Sequence, residues 1–482
     1  MKFGTSGLRG LVTDLEGRNS ARYAQAFANY LLQSGLAQPG DCILVGRDFR
    51  ASSPGIAATC IGALQRAGMR PLDCGPIPTP AVAAYSMSLR AACLMITGSH
   101  IPDDRNGIKF YRPDGEIDKH DEAAITAIAD ELDKQEINST PSSAPECRAE
   151  AEKLFVRRNA TLLPVRALSA LKIGVYQHSS VARDMFVSLL ESYGAQVVPL
   201  GRSGHFVPVD TEAVSPETIS LLAGWCKDHA LDAIVSADGD GDRPLVTDEN
   251  GKPLRGDLLG LIGAKLLGAD AIVTPVTSNS AIEASGVFAV FRTKVGSPFV
   301  IAGMQEALNA GYTDVVGFEA NGGTLNGSRY VGNGGYFSPL PTRDSFLPVL
   351  ASLHLRAERR EPLSSIVGSF GLASTAAGRL ENFPVISSAA LMKYLRASEQ
   401  NLETFFSTIG PIASTSDIDG MRVTLRDGRI VHLRPSGNAP EMRCYVEAET
   451  DAGAEALLNA GLALINHWHA AREPGLQNQL RS

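Results

Sequence analysis

Short apolar runs that end in small or polar residues, each followed by a segment of helical periodicity, recur along most of the chain. That alternation is expected of parallel βαβ units and predicts an α/β fold. Three of the runs resemble one another: Cys42–Asp48 (CILVGRD), Lys172–Ser180 (KIGVYQHSS) and Ala271–Ser280 (AIVTPVTSNS). Each predicts a buried strand opening into a polar loop, and their spacing of roughly 100 to 130 residues predicts a repeated domain. Towards the C-terminus the pattern changes. Gly420–Leu433 alternates and turns at Asp427-Gly428, which predicts a β-hairpin; a further strand is expected over Met442–Ala448, in a smaller α+β domain. Linker composition in NSTPSSAP (138–145), the Asp248-Glu-Asn-Gly turn before Gly256, and the stretch Gly371–Pro384 mark the boundaries. The expected domains are 1–145, 146–256, 257–372 and 373–482.

A chain of 482 residues is too long for one core, in keeping with several domains. Lys plus Arg number 44 against 52 Asp plus Glu, a net charge of −8, so no general basic field exists to attract nucleic acid or an anionic membrane. An anionic substrate therefore needs a local basic cluster. Seven cysteines without CxxC spacing argue against a disulfide framework or structural zinc site, and no signal-peptide or membrane-spanning run is present, which predicts a cytoplasmic protein.

Candidate chemistry lies in five segments. Cys93–Ile96 predicts a buried strand whose end presents Ser99 in the turn Thr97-Gly98-Ser99-His100-Ile101-Pro102. A serine hydroxyl needs a base or an attached phosphoryl group to become reactive, and His100 and Lys109 are the nearest candidates for proton handling or charge stabilisation. The following Asp103–Gly107 has the composition of a surface turn. In Asp238-Gly-Asp240-Gly-Asp242-Arg243, glycines let three carboxylates face one point, an arrangement that is costly near an interior unless a cation neutralises it. Oxygen ligands with room for a phosphate oxygen suit Mg²⁺. Calcium is the rival, since Glu249 stands at position 12 of an EF-hand count, but Arg243 and Pro244 occupy positions 6 and 7 and a strand-like Leu231–Ala237 precedes the loop. Gly317-Phe-Glu319-Ala-Asn321-Gly-Gly323 offers a carboxylate and an amide suited to sugar hydroxyls. Arg434-Pro-Ser436-Gly437-Asn438-Ala-Pro440 combines the groups of phosphate capture, with Arg443 as a candidate supporting residue, and Phe3–Gly10 is a small-residue loop carrying Arg9.

These five segments, in this order and across nearly the whole chain, resemble the α-D-phosphohexomutase superfamily, which includes phosphomannomutases, phosphoglucomutases and phosphoglucosamine mutases. The resemblance implies four domains around a central cleft, three related mixed α/β domains and a C-terminal α+β domain. It implies that Ser99 carries a phosphoryl group and, through it, joins Asp238, Asp240 and Asp242 around Mg²⁺. His100, Lys109 and Arg9 would serve the transferring group, and Arg243, Glu319, Asn321, Arg434, Ser436, Gly437 and Asn438 would bind substrate. The implied reaction interconverts mannose 6-phosphate and mannose 1-phosphate through a hexose 1,6-bisphosphate, with glucose phosphates as further substrates. Alternatives are a phosphoglucomutase or phosphoglucosamine mutase, a sugar phosphatase, and a sugar-phosphate- or calcium-binding protein. The implied partner is a small hexose phosphate, in a monomer or homodimer. Ile101 replaces the commoner Asn before Pro, Asn438 and Ala439 replace Thr and Glu, Asn321 stands where many relatives have Ser, and Lys294–Pro298 lacks a His found in some dual-specificity enzymes. Those departures bear on hexose choice more than on reaction type.

Overall fold

The computed structural model describes all residues except 1, 5, 6, 285, 334, 437–439 and 473–482; of Lys2 and Ala284 it describes the backbone. Two compact units emerge: one comprises the described residues up to Val273 with Gly296–Phe370, the other Thr274–Val295 with the described residues from Gly371 onward.

The first unit contains three related sheets. In the N-terminal one the order is Lys2–Phe3, Leu8–Leu11, Arg105–Arg112, Ala92–Ile96, Cys42–Arg47, Arg70–Pro76. The strands Ala92–Ile96, Cys42–Arg47 and Arg70–Pro76 run parallel, and Arg105–Arg112 closes antiparallel on Ala92–Ile96. Parallel strands are buried on both faces, so their sequences are continuous apolar runs rather than alternations; all five residues of Ala92–Ile96 are buried. Helix Arg18–Gln33 packs its Ala21, Ala24, Phe27, Ala28 and Leu31 against this core at helical spacing. Helix Lys119–Asp133 is opened by Asp118, which accepts from the amides of His120 and Asp121.

The second sheet has the order Pro244–Val246, Ala233–Ala237, Lys172–His178, Gln196–Arg202, again with three parallel strands and one antiparallel addition, Pro244–Val246. In the third, Ala271–Val273 pairs parallel with Val315–Gly317, and Thr324–Asn326 and Leu340–Asp344 follow antiparallel. The repeat anticipated from three similar apolar runs is thus a repeated strand pattern. In every copy a parallel strand leaves the sheet, makes a short loop, and returns as its antiparallel neighbour. Those loops are residues 97–104, 238–243 and 319–323.

The second unit contains an antiparallel sheet in the order Ser374–Leu380, Met442–Ala448, Ile430–Pro435, Met421–Leu425, Ile412–Ser416. Met421, Val423 and Leu425 turn inward onto a core shared with Leu391, Leu395, Phe406, Leu457 and Ile465 of the covering helices. The expected hairpin is present, and Gly428 at φ +87° supplies the left-handed residue of its turn.

Two local expectations are corrected. Leu8–Leu11, read as part of a loop, is a strand, with Arg9 opposite Gly107. Asp103–Gly107, read as a surface turn, is already strand from Arg105, and Asn106 is fully buried. Each sequence has turn composition, yet the two segments pair with one another, and tertiary pairing overrides local propensity. The 138–145 stretch is irregular as expected, and it is pinned: Arg66 donates to the carbonyls of Asn138 and Thr140, and the Asp73 amide donates to the Pro145 carbonyl.

Candidate active site

Ser99 leaves the buried strand Ala92–Ile96 in the left-handed region, at φ +56°. A non-glycine residue persists there only where its surroundings fix it. Its amide donates to Thr97 Oγ1 at 2.7 Å, and Thr97 Oγ1 donates to Asp48 Oδ2 at 2.8 Å. Arg50, 1% exposed, holds the rest of the loop. Its guanidinium donates to the carbonyls of Ser99 (3.1 Å), Ile101 (2.6 Å), Pro102 (2.8 Å) and Arg105 (3.0 Å), and its Nε to Asp48 Oδ2 at 3.2 Å. Gly98 leaves room for that guanidinium, since a Cβ there would stand 2.8 Å from Arg50 Cζ.

Ser99 Oγ donates to Asp238 Oδ2 at 2.5 Å and lies 3.2 Å from His100 Nδ1. Arg243 Nη1 also lies 3.2 Å from His100 Nδ1. A guanidinium can only donate, so Nδ1 accepts and the imidazole is neutral. Burial, then the charge of Arg243, lowers the His100 pKa to about 3.

The aspartate loop follows Ala233–Ala237 and is bound to its surroundings at each turn. Asp238 Oδ1 accepts from the amides of Asp242 (3.1 Å) and Arg243 (3.2 Å), Thr79 donates to Asp240 Oδ2 at 2.5 Å, and Ser345 Oγ donates to the Gly241 carbonyl at 2.7 Å. Gly239 allows close approach to the serine loop: a Cβ would meet the Ser99 carbonyl oxygen at 2.8 Å. The three carboxylates are buried, with one ligand atom of each within 4.8 Å of the others. Lys109, from Arg105–Arg112, reaches Asp240 Oδ2 at 2.6 Å and Asp242 Oδ2 at 2.5 Å. Burial and the neighbouring Asp240 and Asp242 raise the Asp238 pKa well above the carboxylate range. Asp242 is held below its usual value because Lys109, Arg343 and Arg243 outweigh the opposing effect of burial. Asp240 Oδ1 and Asp242 Oδ1 have no hydrogen-bond partner. An oxygen-only donor set with two such buried atoms fits a small hard divalent cation.

Glu319, 3% exposed, accepts from Arg343 Nε at 2.5 Å, and Asn321 accepts from the Gly323 amide at 2.9 Å. Arg343 Nη1 is also 3.5 Å from Asp242 Oδ2, which ties the 319–323 loop to the aspartate loop. Arg9 belongs to the same charge cluster: burial and Arg243 lower its pKa to about 10, against the pull of Asp240 and Asp242. The first unit thus gathers Ser99, His100, Lys109, Arg9, Arg243, the three aspartates and Glu319, while Asn321 lies in the same short loop as Glu319. Asp48, Arg50, Thr79 and Arg343 were missed. Asp48 closes the apolar run Cys42–Asp48, but Arg50 and Arg343 carry no local sequence signal.

In the second unit, Arg434 donates from Nε to Asp419 Oδ2 at 2.8 Å, and the Ser436 amide donates to the Glu441 carbonyl at 2.9 Å. Gly437 and Asn438 lie outside the described residues. Strand register sets Arg443 opposite both Arg434 and Arg379, a row of three guanidinium-bearing residues on adjacent strands that leads into this loop. Arg379 was also missed.

Comparison with known proteins agrees with the repeated architecture. The chain matches the phosphoglucomutase/phosphomannomutase alpha/beta/alpha domain I over residues 1–136, domain II over 155–251, domain III over 256–371 and the C-terminal domain over 382–462. It belongs to the phosphoglucomutase/phosphomannomutase family of the α-D-phosphohexomutase superfamily. A phosphomannomutase of Sinorhizobium fredii is 56% identical over 467 residues, covering 96% of this chain and 98% of that protein. A phosphomannomutase of Salmonella muenchen is 42% identical over 459 residues, covering 94% and 93%. The crystal structure of a phosphoglucomutase/phosphomannomutase family protein from Burkholderia thailandensis shares the fold with a TM-score of 0.77 at 21% identity, covering 98% of this chain and 99% of that one. Membership makes the chain a phosphohexomutase, an isomerase-class phosphotransferase. Among the described residues, no helix is long and apolar enough to cross a membrane.

Proposed function

We propose that the chain is a cytoplasmic phosphomannomutase that interconverts mannose 6-phosphate and mannose 1-phosphate, with activity on glucose phosphates as well. The observation that carries this reading is the Ser99 hydroxyl, 2.5 Å from a carboxylate of a buried aspartate triad. The high identity to two phosphomannomutases supports the choice of mannose.

Charge balance supports transfer of a phosphoryl group. Arg9, Lys109, Arg243 and Arg343 crowd around Asp238, Asp240, Asp242 and Glu319. A divalent cation added to those four side-chain cations favours a phosphoryl dianion at this place. Asp238, Asp240 and Asp242, with an oxygen of phosphorylated Ser99, would hold Mg²⁺, which would neutralise charge on the transferring group.

In the proposed cycle, phosphorylated Ser99 gives its phosphoryl group to the free sugar hydroxyl: the bond from phosphorus to Ser99 Oγ breaks, one to the sugar oxygen forms, the hydroxyl's proton ends on Ser99 Oγ, and a hexose 1,6-bisphosphate results. The sugar turns over and its other phosphate returns to Ser99. Asp238 Oδ2 accepts the proton of the unphosphorylated serine, neutral His100 takes a hydrogen bond from Arg243 at Nδ1 and so positions that guanidinium beside Oγ, and Lys109 and Arg243 neutralise the phosphoryl oxygens. Glu319 and Asn321 would take sugar hydroxyls, and Arg434, Ser436, Gly437 and Asn438 the phosphate that does not react. Arg9 would complete the cationic wall.

The test is turnover of mannose, glucose and glucosamine 1-phosphates by purified protein, with catalytic hexose bisphosphate and Mg²⁺. Mannose phosphate should turn over fastest, chelation should abolish turnover, and Ser99→Ala should lose both turnover and the phosphoryl group seen by intact mass. Preference for glucosamine phosphate would overturn the substrate, and phosphate release outpacing isomer formation would favour a phosphatase.

A further inference from the structure

Cys74 and Cys147 are 73 positions apart in sequence, yet their sulfurs are 3.4 Å apart. Cys74 lies in the edge strand Arg70–Pro76, at a register shift where Val45 opposes Asp73 and Gly46 opposes Gly75. The end of the 138–147 linker runs beside this edge. Asp73 donates its amide to the Pro145 carbonyl at 2.8 Å and accepts from the Cys147 amide at 2.9 Å, a parallel bridge between Asp73 and Glu146. The next residue on each side is a cysteine, so the backbone itself brings the two sulfurs together. Among the described residues these are the only two cysteines hydrogen-bonded to one another, although the chain has seven.

From this geometry we propose that Cys74 and Cys147 form a redox-modifiable dithiol, which a hydroperoxide closes into an intrachain disulfide that clamps the linker to the sheet edge. Cys74 is fully buried and Cys147 is 6% exposed, so a small oxidant meets Cys147 first. The hydrogen bond from Cys74 also holds the Cys147 thiol below its usual pKa, the condition for a reactive thiolate. The Cys147 thiolate attacks one peroxide oxygen, the O–O bond breaks, and a sulfenic acid forms with release of hydroxide. Cys74 sulfur then attacks Cys147 sulfur; the S–S bond forms, and the sulfenic oxygen leaves with the Cys74 proton as water. Two thiols and one peroxide give one disulfide and two waters, with two electrons passing to the peroxide.

Closure fixes the residue before helix Arg148–Asn159 to the strand Arg70–Pro76, whose chain continues to Thr79, the donor to Asp240. The experiment exposes reduced full-length protein to hydrogen peroxide in slight molar excess, then quenches and counts thiols under denaturing conditions. The count should fall from seven to five, non-reducing peptide mapping should join Cys74 to Cys147, and dithiothreitol should restore all seven. The thermal midpoint of the oxidised form should rise by about 5 °C or more, because the cross-link restricts a long loop of the unfolded chain. Cys147→Ser, a residue type favoured before a helix, should fold and give no cross-link, whereas Cys93→Ser should still give it. A sulfinic acid on Cys147 without cross-linking, a cross-link to another cysteine, or a count that stays at seven would overturn the dithiol. A cross-link without a higher midpoint would overturn the clamp.

Discussion

Arg343 and Glu319 are each 3% exposed and joined by a 2.5 Å contact, so removing either partner strands a charge away from water. Truncating one member of a buried ion pair costs about 3–5 kcal/mol, most of it the penalty on the charge left behind. Arg343→Met and Glu319→Leu should each destabilise by that amount. At about 2–4 °C per kcal/mol for a domain of this size, each should lower the thermal midpoint by roughly 6–20 °C. The double variant leaves neither charge of this pair, and should fall short of the sum of the singles by about 2 kcal/mol or more. Recovery should be incomplete, because Arg343 also stands 3.5 Å from Asp242. Calorimetric midpoints of the four proteins at one pH and one Mg²⁺ concentration measure the cycle. A double variant that loses the full sum would refute the reasoning, since the pair would then act as two independent groups. Turnover gives a second reading: the double variant should refold the sheet yet stay slow, because it lacks the link between the 319–323 loop and the aspartate loop.

Stability should also fall with acid. Burial lowers the His432 pKa to about 4, while its Nε2 donates to the Asp419 carbonyl at 2.6 Å. In the unfolded chain this imidazole titrates near 6.5, so between pH 6.5 and 4 the unfolded state binds the extra proton and stability drops by roughly 1.4 kcal/mol per pH unit. His432→Gln should flatten that part of the midpoint-against-pH curve, and an unchanged slope would count against the assignment. Gly239→Ala would put a Cβ 2.8 Å from both the Ser99 carbonyl oxygen and the Phe206 ring, so it should displace the serine loop. Turnover should drop about 100-fold for an overpacking cost of about 1–3 kcal/mol, and near-normal turnover would show that the two loops do not need this approach.

What was legible in the sequence was local. Ser99 follows a buried strand within a few residues, the aspartates are spaced by glycines, and Asp427-Gly428 turns an alternating run, so each declares itself in a short window. Groups that act through distant partners were not legible. Arg50 holds carbonyls 49 to 55 positions away, and Thr79 reaches Asp240 across 161. Arg343 looks like one polar residue in a short strand until the fold sets it between Glu319 and Asp242. The same reason explains the misread N-terminal segment: Leu8–Leu11 is a strand because Arg105–Arg112 is there to pair with it, not because its residues favour one. The carbonyl clamp of Arg50 and the row of Arg379, Arg443 and Arg434 are products of register, which a single sequence does not display.

Each loop at 97–104, 238–243 and 319–323 is framed by two strands that are already hydrogen-bonded to one another. The sheet therefore acts as a socket with fixed jaws, and the loop as an insert whose length and chemistry change without shifting the strands that grip it. On the proposed function, the same socket used three times supplies a nucleophile, a cation cage and a hydroxyl reader that differ only in the insert. For an engineer the unit of substitution is then the whole insert: a 319–323 segment from a relative with another sugar preference should seat between the same two strands, provided it brings a partner for Arg343.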